Sequence, residues 1–146
     1  MLAEKCKVAV FVSGGGTNLQ AILDSRGEII KNAEIYLVAS SSKGAYALER
    51  AKKHDIETFI IEDEQRLVEK LKSLEIDFIV LAGYLRILSE DFCKRYSNRI
   101  INTSHRTSFQ VFKNKSTLTS ASNFLFSVRK EISPKWILFI KDFNLF

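Results

Sequence analysis

Residues 13–18 read Ser-Gly-Gly-Gly-Thr-Asn, and they combine side-chain-free backbone with residue types that start helices. Several N–H groups in such a turn can converge on an anion, with the positive end of a helix dipole behind them. A phosphate is the natural guest. The same glycines would also serve a plain tight turn between a strand and a helix. A dinucleotide fingerprint would want a third glycine where Leu19 stands and an acidic residue where Ser40-Ser41-Ser42 stand, which argues against NAD. NADP stays open as an alternative, because these serines and Lys43 could meet an extra phosphate. No Gly-Lys-Ser/Thr of a Walker loop occurs.

Two further stretches invite chemistry. Leu81-Ala82-Gly83-Tyr84-Leu85-Arg86-Ile87-Leu88 joins a glycine to an apolar loop, which suits a flat heterocycle lying on main-chain donors and acceptors. Arg86 in that loop is equally readable as a surface charge. Asn102 follows Ile100-Ile101, and a buried amide there must find partners or serve a ligand. As an oxyanion donor it would be worth about 3 kcal/mol in a transition state. The two histidines, His54 and His105, lack neighbouring ligands at chelating spacing, so no metal site is expected. His54 closes a Lys-Lys-His-Asp helix end, where it would complement the dipole.

Strands and helices must alternate to bring these stretches together. Lys7 to Val12, Glu34 to Ala39, Thr58 to Ile61, Asp77 to Ala82 and Arg99 to Asn102 are short apolar runs that read as buried parallel strands. Between them lie helical patterns. The first is capped by Thr17 or Asn18, with Leu19, Ile22 and Leu23 on one face. A second is marked by Ala45, Leu48, Ala51 and Lys52. A third is capped by Asp63, with Leu67, Leu71 and Leu74, and a fourth is capped by Ser89. The pattern predicts right-handed βαβ units in a Rossmann-like, doubly wound, mostly parallel α/β sheet. Ligands of such sheets bind outside the carboxyl ends of the strands, which points to residues 13–18, 83–88 and 102 onward.

Charge divides the 146 residues in two. Residues 1–103 hold 15 Lys/Arg and 15 Asp/Glu, whereas residues 104–146 hold 7 and 2 and so carry the whole net charge of +5. All six glycines lie at or before Gly83, and seven of the eleven phenylalanines follow residue 104. We therefore read 1–103 as an α/β domain and 104–146 as an atypical basic, Phe/Ser-rich tail. The basic excess belongs to that tail, so nucleic acid is not the expected partner. No apolar run is long enough to span a bilayer and the start lacks an export pattern, so the expected location is the cytoplasm. Cys6 and Cys93 are read as reduced thiols. Oligomeric state is not legible.

Residues 13–22, Leu81 to Ser89 and Arg99 to Asn102 together resemble the phosphoribosylglycinamide formyltransferase family, in order and in spacing. The likeness covers about the first 102 residues. It implies formyl transfer from 10-formyltetrahydrofolate to the amine of glycinamide ribonucleotide in purine synthesis. By that resemblance Gly16, Thr17 and Asn18 hold the ribonucleotide phosphate, and Leu85, Arg86, Ile87 and Leu88 line the pterin pocket. Asn102 steadies the oxyanion and adjoins the folate.

The family also has a histidine two residues after that asparagine, followed by Pro-Ser, and a later aspartate that orients it. Here Ser104 stands at the histidine position and His105 comes one residue late, which in an extended segment turns the ring to the other face. His105 is therefore a displaced candidate for the catalytic acid, and Asp142 has no motif around it. The family sheet continues beyond this point, so an incomplete sheet is expected at the C-terminal end. Codons permitted for Ser104 to Phe112, read from the third base of the Ser104 codon, can spell Pro-Ser-x-Phe-Ile-Pro-Ser-Phe. A frame change near codons 103–104 would account for the departure. A phosphate-binding fragment without turnover is the alternative function, with an NADP-dependent oxidoreductase behind it.

Overall fold

The computed structural model describes residues 5–28, 30–97 and 99–102. Five strands, β1 (Cys6–Val12), β2 (Ala33–Ser40), β3 (Glu57–Ile60), β4 (Phe78–Leu81) and β5 (Ile100–Asn102), alternate with α1 (Thr17–Asp24), α2 (Tyr46–Lys53), α3 (Glu64–Ser73) and α4 (Glu90–Arg95). Every pairing is parallel, and the strand order is β3-β2-β1-β4-β5. Each expected strand is present, with ends moved by a residue.

Period-two alternation assigns β1 to two cores. Cys6, Val8, Val10 and Val12 pack on one face with Leu19, Ile22 and Leu23 of α1 and Ala47, Leu48 and Ala51 of α2. Ala9 and Phe11 pack on the other with Leu67, Val68 and Leu71 of α3 and Phe92 and Cys93 of α4. The chain thus lays α1 and α2 on one face while running outward from β1. It then crosses to the opposite face to build β4 and β5. The winding reverses between β1 and β4, which opens a crevice at the carboxyl ends of those two strands.

β2 breaks the alternation. Val8 is level with Ile35 but Ala9 is level with Leu37, so Tyr36 is an extra residue in the ladder. Ile35 consequently faces the α1/α2 core and Leu37 the α3/α4 core, the change of face that a one-residue bulge produces. Lys7 Nζ lies 5.3 Å from the centroid of the Tyr36 ring.

One helix start differs from expectation. Gly16, not Thr17 or Asn18, is the N-cap of α1; its φ is +79° and it makes no side-chain cap bond. Thr17 and Asn18 are the first two helical residues. Ala45 caps α2 without a side-chain bond, and Lys52, placed with the apolar positions from sequence, is exposed and pairs with Glu49 at 3.1 Å. Asp63 and Ser89 cap α3 and α4 as expected, accepting from the N–H groups of Arg66 (2.8 Å) and Phe92 (3.1 Å).

Candidate functional site

The glycine turn leaves β1 at the crevice, and its carbonyls are all engaged. Ala47 N–H donates to the Gly14 carbonyl (3.1 Å), Arg50 Nε to that of Gly15 (2.8 Å), and Gln20 N–H to that of Gly16 (2.8 Å). No cis peptide occurs among the described residues. In a trans peptide plane the N–H points opposite to the C=O. The N–H groups of Gly15, Gly16 and Thr17 are therefore turned away from these partners, and none has an acceptor among the described residues. They form a nest of donors at the start of a helix, the arrangement that receives a phosphate.

The glycines differ in why they are needed. A Cβ on Gly16 would stand 2.7 Å from Ala47 Cβ, and its φ is left-handed. Backbone conformation and close approach to α2 both require glycine there. A Cβ on Gly14 or Gly15 would meet nothing within 4 Å, so neither is required by close packing.

Ser13 ties this turn to its neighbours. Its Oγ lies 2.6 Å from Ser41 Oγ and accepts the Leu85 N–H at 2.9 Å. One hydroxyl thus joins the loops that follow β1, β2 and β4. Gly83, with φ +72°, brings the 83–88 loop to the nest, since a Cβ there would lie 3.9 Å from Asn18 Nδ2. Arg86 is pinned rather than free: its Nη1 donates to the Ile61 carbonyl at 3.1 Å, which fastens the loop to the end of β3.

Within that loop the side chains divide. Leu85 and Ile87 are 71% and 60% exposed, while Leu88 is 4% exposed and belongs to the α3/α4 core. Only the first two can offer apolar surface to a ligand. Tyr84 is buried beside Phe11, with ring centroids 5.6 Å apart. Burial pushes its phenol up to about 12. Asn102 is level with Leu81 in the β4–β5 ladder, so it closes the same end of the sheet, two residues along from the level of Gly83. The structure thus brings Gly16, Thr17, Asn18, Leu85, Arg86, Ile87 and Asn102 to one sheet end, with Leu88 turned inward. His105 and the segment 104–146 lie outside the described residues.

Ser40 to Lys43 are arranged differently from what an NADP site needs. Ser40 is 0% exposed, and its hydroxyl donates to the Ser42 carbonyl (2.8 Å) while accepting the Ser42 N–H (3.0 Å). Ser41 is held by Ser13, and Lys43 pairs with Glu62 at 3.0 Å. His54 caps α2, but its Nδ1 faces Arg26 Nη2 at 2.9 Å. Arginine can only donate, so this nitrogen accepts. Lys52 and Lys53 bring positive charge to the last turn of α2, where it complements the helix dipole. Among the described residues no three His, Cys, Asp or Glu side chains group as metal ligands, and no helix is long and apolar enough to cross a membrane.

Arg50 is the position that sequence reading left without a role, and no local signal marks it; Ser13 and Gly83 lie in stretches read from sequence, but the bond from the Leu85 N–H to Ser13 Oγ was not legible there.

Known proteins resemble this chain in sequence and in fold. A sequence model of the formyl transferase family matches residues 6–107. A phosphoribosylglycinamide formyltransferase from Haemophilus influenzae is 39% identical over 107 residues, covering 66% of this chain and 50% of that protein. The chain therefore spans about half of that relative, and only 11% of a chicken trifunctional purine biosynthetic protein adenosine-3, to which it is 37% identical. Among solved structures, a phosphoribosylglycinamide formyltransferase from Coxiella burnetii in complex with CHES is 37% identical. Its TM-score is 0.62, covering 68% of this chain and 51% of that one. The Brucella melitensis phosphoribosylglycinamide formyltransferase is 28% identical with a TM-score of 0.65, covering 85% of this chain and 67% of its own. A match through the whole described sheet, the glycine turn and the 83–88 loop is a family relationship: the chain belongs to the formyl transferase family and is similar to its phosphoribosylglycinamide formyltransferases.

Proposed function

We propose that this chain is a phosphoribosylglycinamide formyltransferase, transferring a formyl group from 10-formyltetrahydrofolate to the amine of glycinamide ribonucleotide. The observation that carries the reading is the donor nest at Gly15, Gly16 and Thr17: the Gly14, Gly15 and Gly16 carbonyls of these peptides are engaged, while the three N–H groups have no acceptor among the described residues. Phosphate recognition by Gly16, Thr17 and Asn18 fits that nest. The exposed apolar pair Leu85 and Ile87, on a loop opened by Gly83 at the next strand end, fits a flat ring system lying beside it. Formyl-folate, when bound, supplies the one-carbon group.

The chain's own residues have separable tasks. The nest and the dipole of α1 fix the phosphate end of one substrate, which orients its amine toward the β4–β5 end. Asn102 donates to the oxygen on which negative charge develops. His105, one residue past the family's histidine position, is the candidate to donate a proton toward the leaving nitrogen, a task for which an imidazole is chemically suited. Small-molecule substrates in a water-filled compartment such as the cytoplasm are the setting this reading implies.

The test is formyl transfer followed at the folate chromophore, with ribonucleotide binding measured by calorimetry on the same preparation. Binding with turnover that falls about 100-fold in Asn102→Ala supports the proposal. Binding without turnover makes the chain a phosphate-binding relative that does not transfer. No binding at all contradicts the reading.

A further inference from the structure

We infer that Arg50 is the positioning residue of the phosphate nest, acting from α2 on the far side of the turn. This rests on the nest being the ribonucleotide phosphate site. Arg50 Nε donates to the Gly15 carbonyl at 2.8 Å, and its Nη1 donates to Gln20 Oε1 at 3.1 Å. The first bond fixes the plane of the peptide joining Gly15 to Gly16. Because that peptide is trans, holding its oxygen toward α2 holds the Gly16 N–H toward the ligand. The second bond anchors the guanidinium to the first turn of α1, so the fork spans the loop and the helix whose start forms the nest.

Two further contacts limit where the guanidinium can go. Its carbon lies 5.0 Å from the centroid of the Tyr46 ring, and Arg50 Cδ would lie 3.2 Å from a Cβ on Gly16. The side chain is thus packed between an aromatic face and the tightest point of the turn. Its charge sits behind the donors, where it favours a dianion without touching it. Glycine alone does not hold a peptide plane, since its backbone samples both hands of φ. Gly14, Gly15 and Gly16 in succession need an outside partner, and Arg50 together with Ala47 N–H provides it.

The fork geometry makes a prediction that charge alone does not. Lysine keeps the cation but cannot hold two acceptors in a fixed plane. Calorimetry of the full chain with glycinamide ribonucleotide, and separately with inorganic phosphate, is the experiment, with thermal unfolding as a check on folding. Arg50→Ala should weaken both ligands by about 10-fold to 100-fold, and Arg50→Lys should recover only a minor part of that. Affinity for 10-formyltetrahydrofolate should be unchanged in either variant, since the 83–88 loop is tied through Ser13 and Ile61 instead. Full recovery in Arg50→Lys would show that charge suffices and overturn the positioning role. Equal affinity in Arg50→Ala and the parent chain would overturn it too, leaving the function reading intact. A parent chain that binds neither ligand overturns both.

Discussion

The Ser13 hydroxyl accepts the backbone N–H of Leu85 across 72 residues of sequence, at 2.9 Å. It links the turn that would hold a phosphate to the loop that would carry a pterin. Ser41 Oγ, 2.6 Å away, completes its bonding.

Ser13→Ala should therefore loosen the 83–88 loop while leaving the nest carbonyls anchored. The Leu85 N–H is exposed and can turn to water, so stability should fall by only about 1 kcal/mol or less. Affinity for 10-formyltetrahydrofolate should drop severalfold, with affinity for phosphate kept, and Ser13→Thr should restore it. Calorimetry with each ligand and urea unfolding measure the three quantities. Equal losses for both ligands would contradict the division of tasks.

Glycine substitutions separate conformation from open space. Gly16→Ala must adopt a left-handed φ and drives a methyl to 2.7 Å from Ala47 Cβ, so it should cost about 2–4 kcal/mol in urea unfolding. Gly14→Ala meets nothing within 4 Å and should change stability by less than about 0.5 kcal/mol. Comparable losses at both positions would mean that the α2 contact is not what constrains the turn.

Ser40→Ala tests the inward use of the β2 end. Its hydroxyl is fully buried and both donates to and accepts from Ser42, so its removal should destabilise by about 1–3 kcal/mol. Titration with NADPH should give no fluorescence response in parent or variant. Saturable binding that Ser40→Ala abolishes would contradict this account of residues 40–43.

Alkaline stability should depend on Cys93. Burial raises its thiol from 9.0 to about 11, with the Glu64 carboxylate adding to the rise. The unfolded chain gives up this proton near 9.0 and the folded chain near 11, so the contribution is fully present below 9.0 and is lost as pH climbs toward 11. Tyr84, raised from 10.0 to about 12 by burial, acts in the next window upward. Urea midpoints followed from below 9.0 to about 11 should fall less steeply in Cys93→Val than in the parent. Parallel curves would show that the thiol does not contribute.

Most of the sheet was legible because strands buried on both faces are unbroken apolar runs, and the turns after them are marked by Gly14–Gly16 and Gly83. The bulge at Tyr36 was not, since Ile35, Tyr36 and Leu37 are all apolar enough to suit either face. Neither was the cap of α1. Thr17 and Asn18 look like caps by composition, but Gly16, left-handed at φ +79° and too close to Ala47 for a Cβ, is the cap, and both residues fall inside the helix. Arg50 reads as an ordinary helix-surface cation; its partner, the Gly15 carbonyl, is 35 residues away and has no side chain to signal it. Leu88 shares a motif with Leu85 and Ile87 but is buried, because the loop turns into α4 there.

Backbone donors at the end of β1 are proposed to grip a phosphate monoester. Crystals of the chain grown with saturating glycinamide ribonucleotide test it most directly. Phosphate oxygens should lie about 2.7–3.2 Å from the backbone nitrogens of Gly15, Gly16 and Thr17. A phosphate bound elsewhere, with those three nitrogens facing only water, would contradict it.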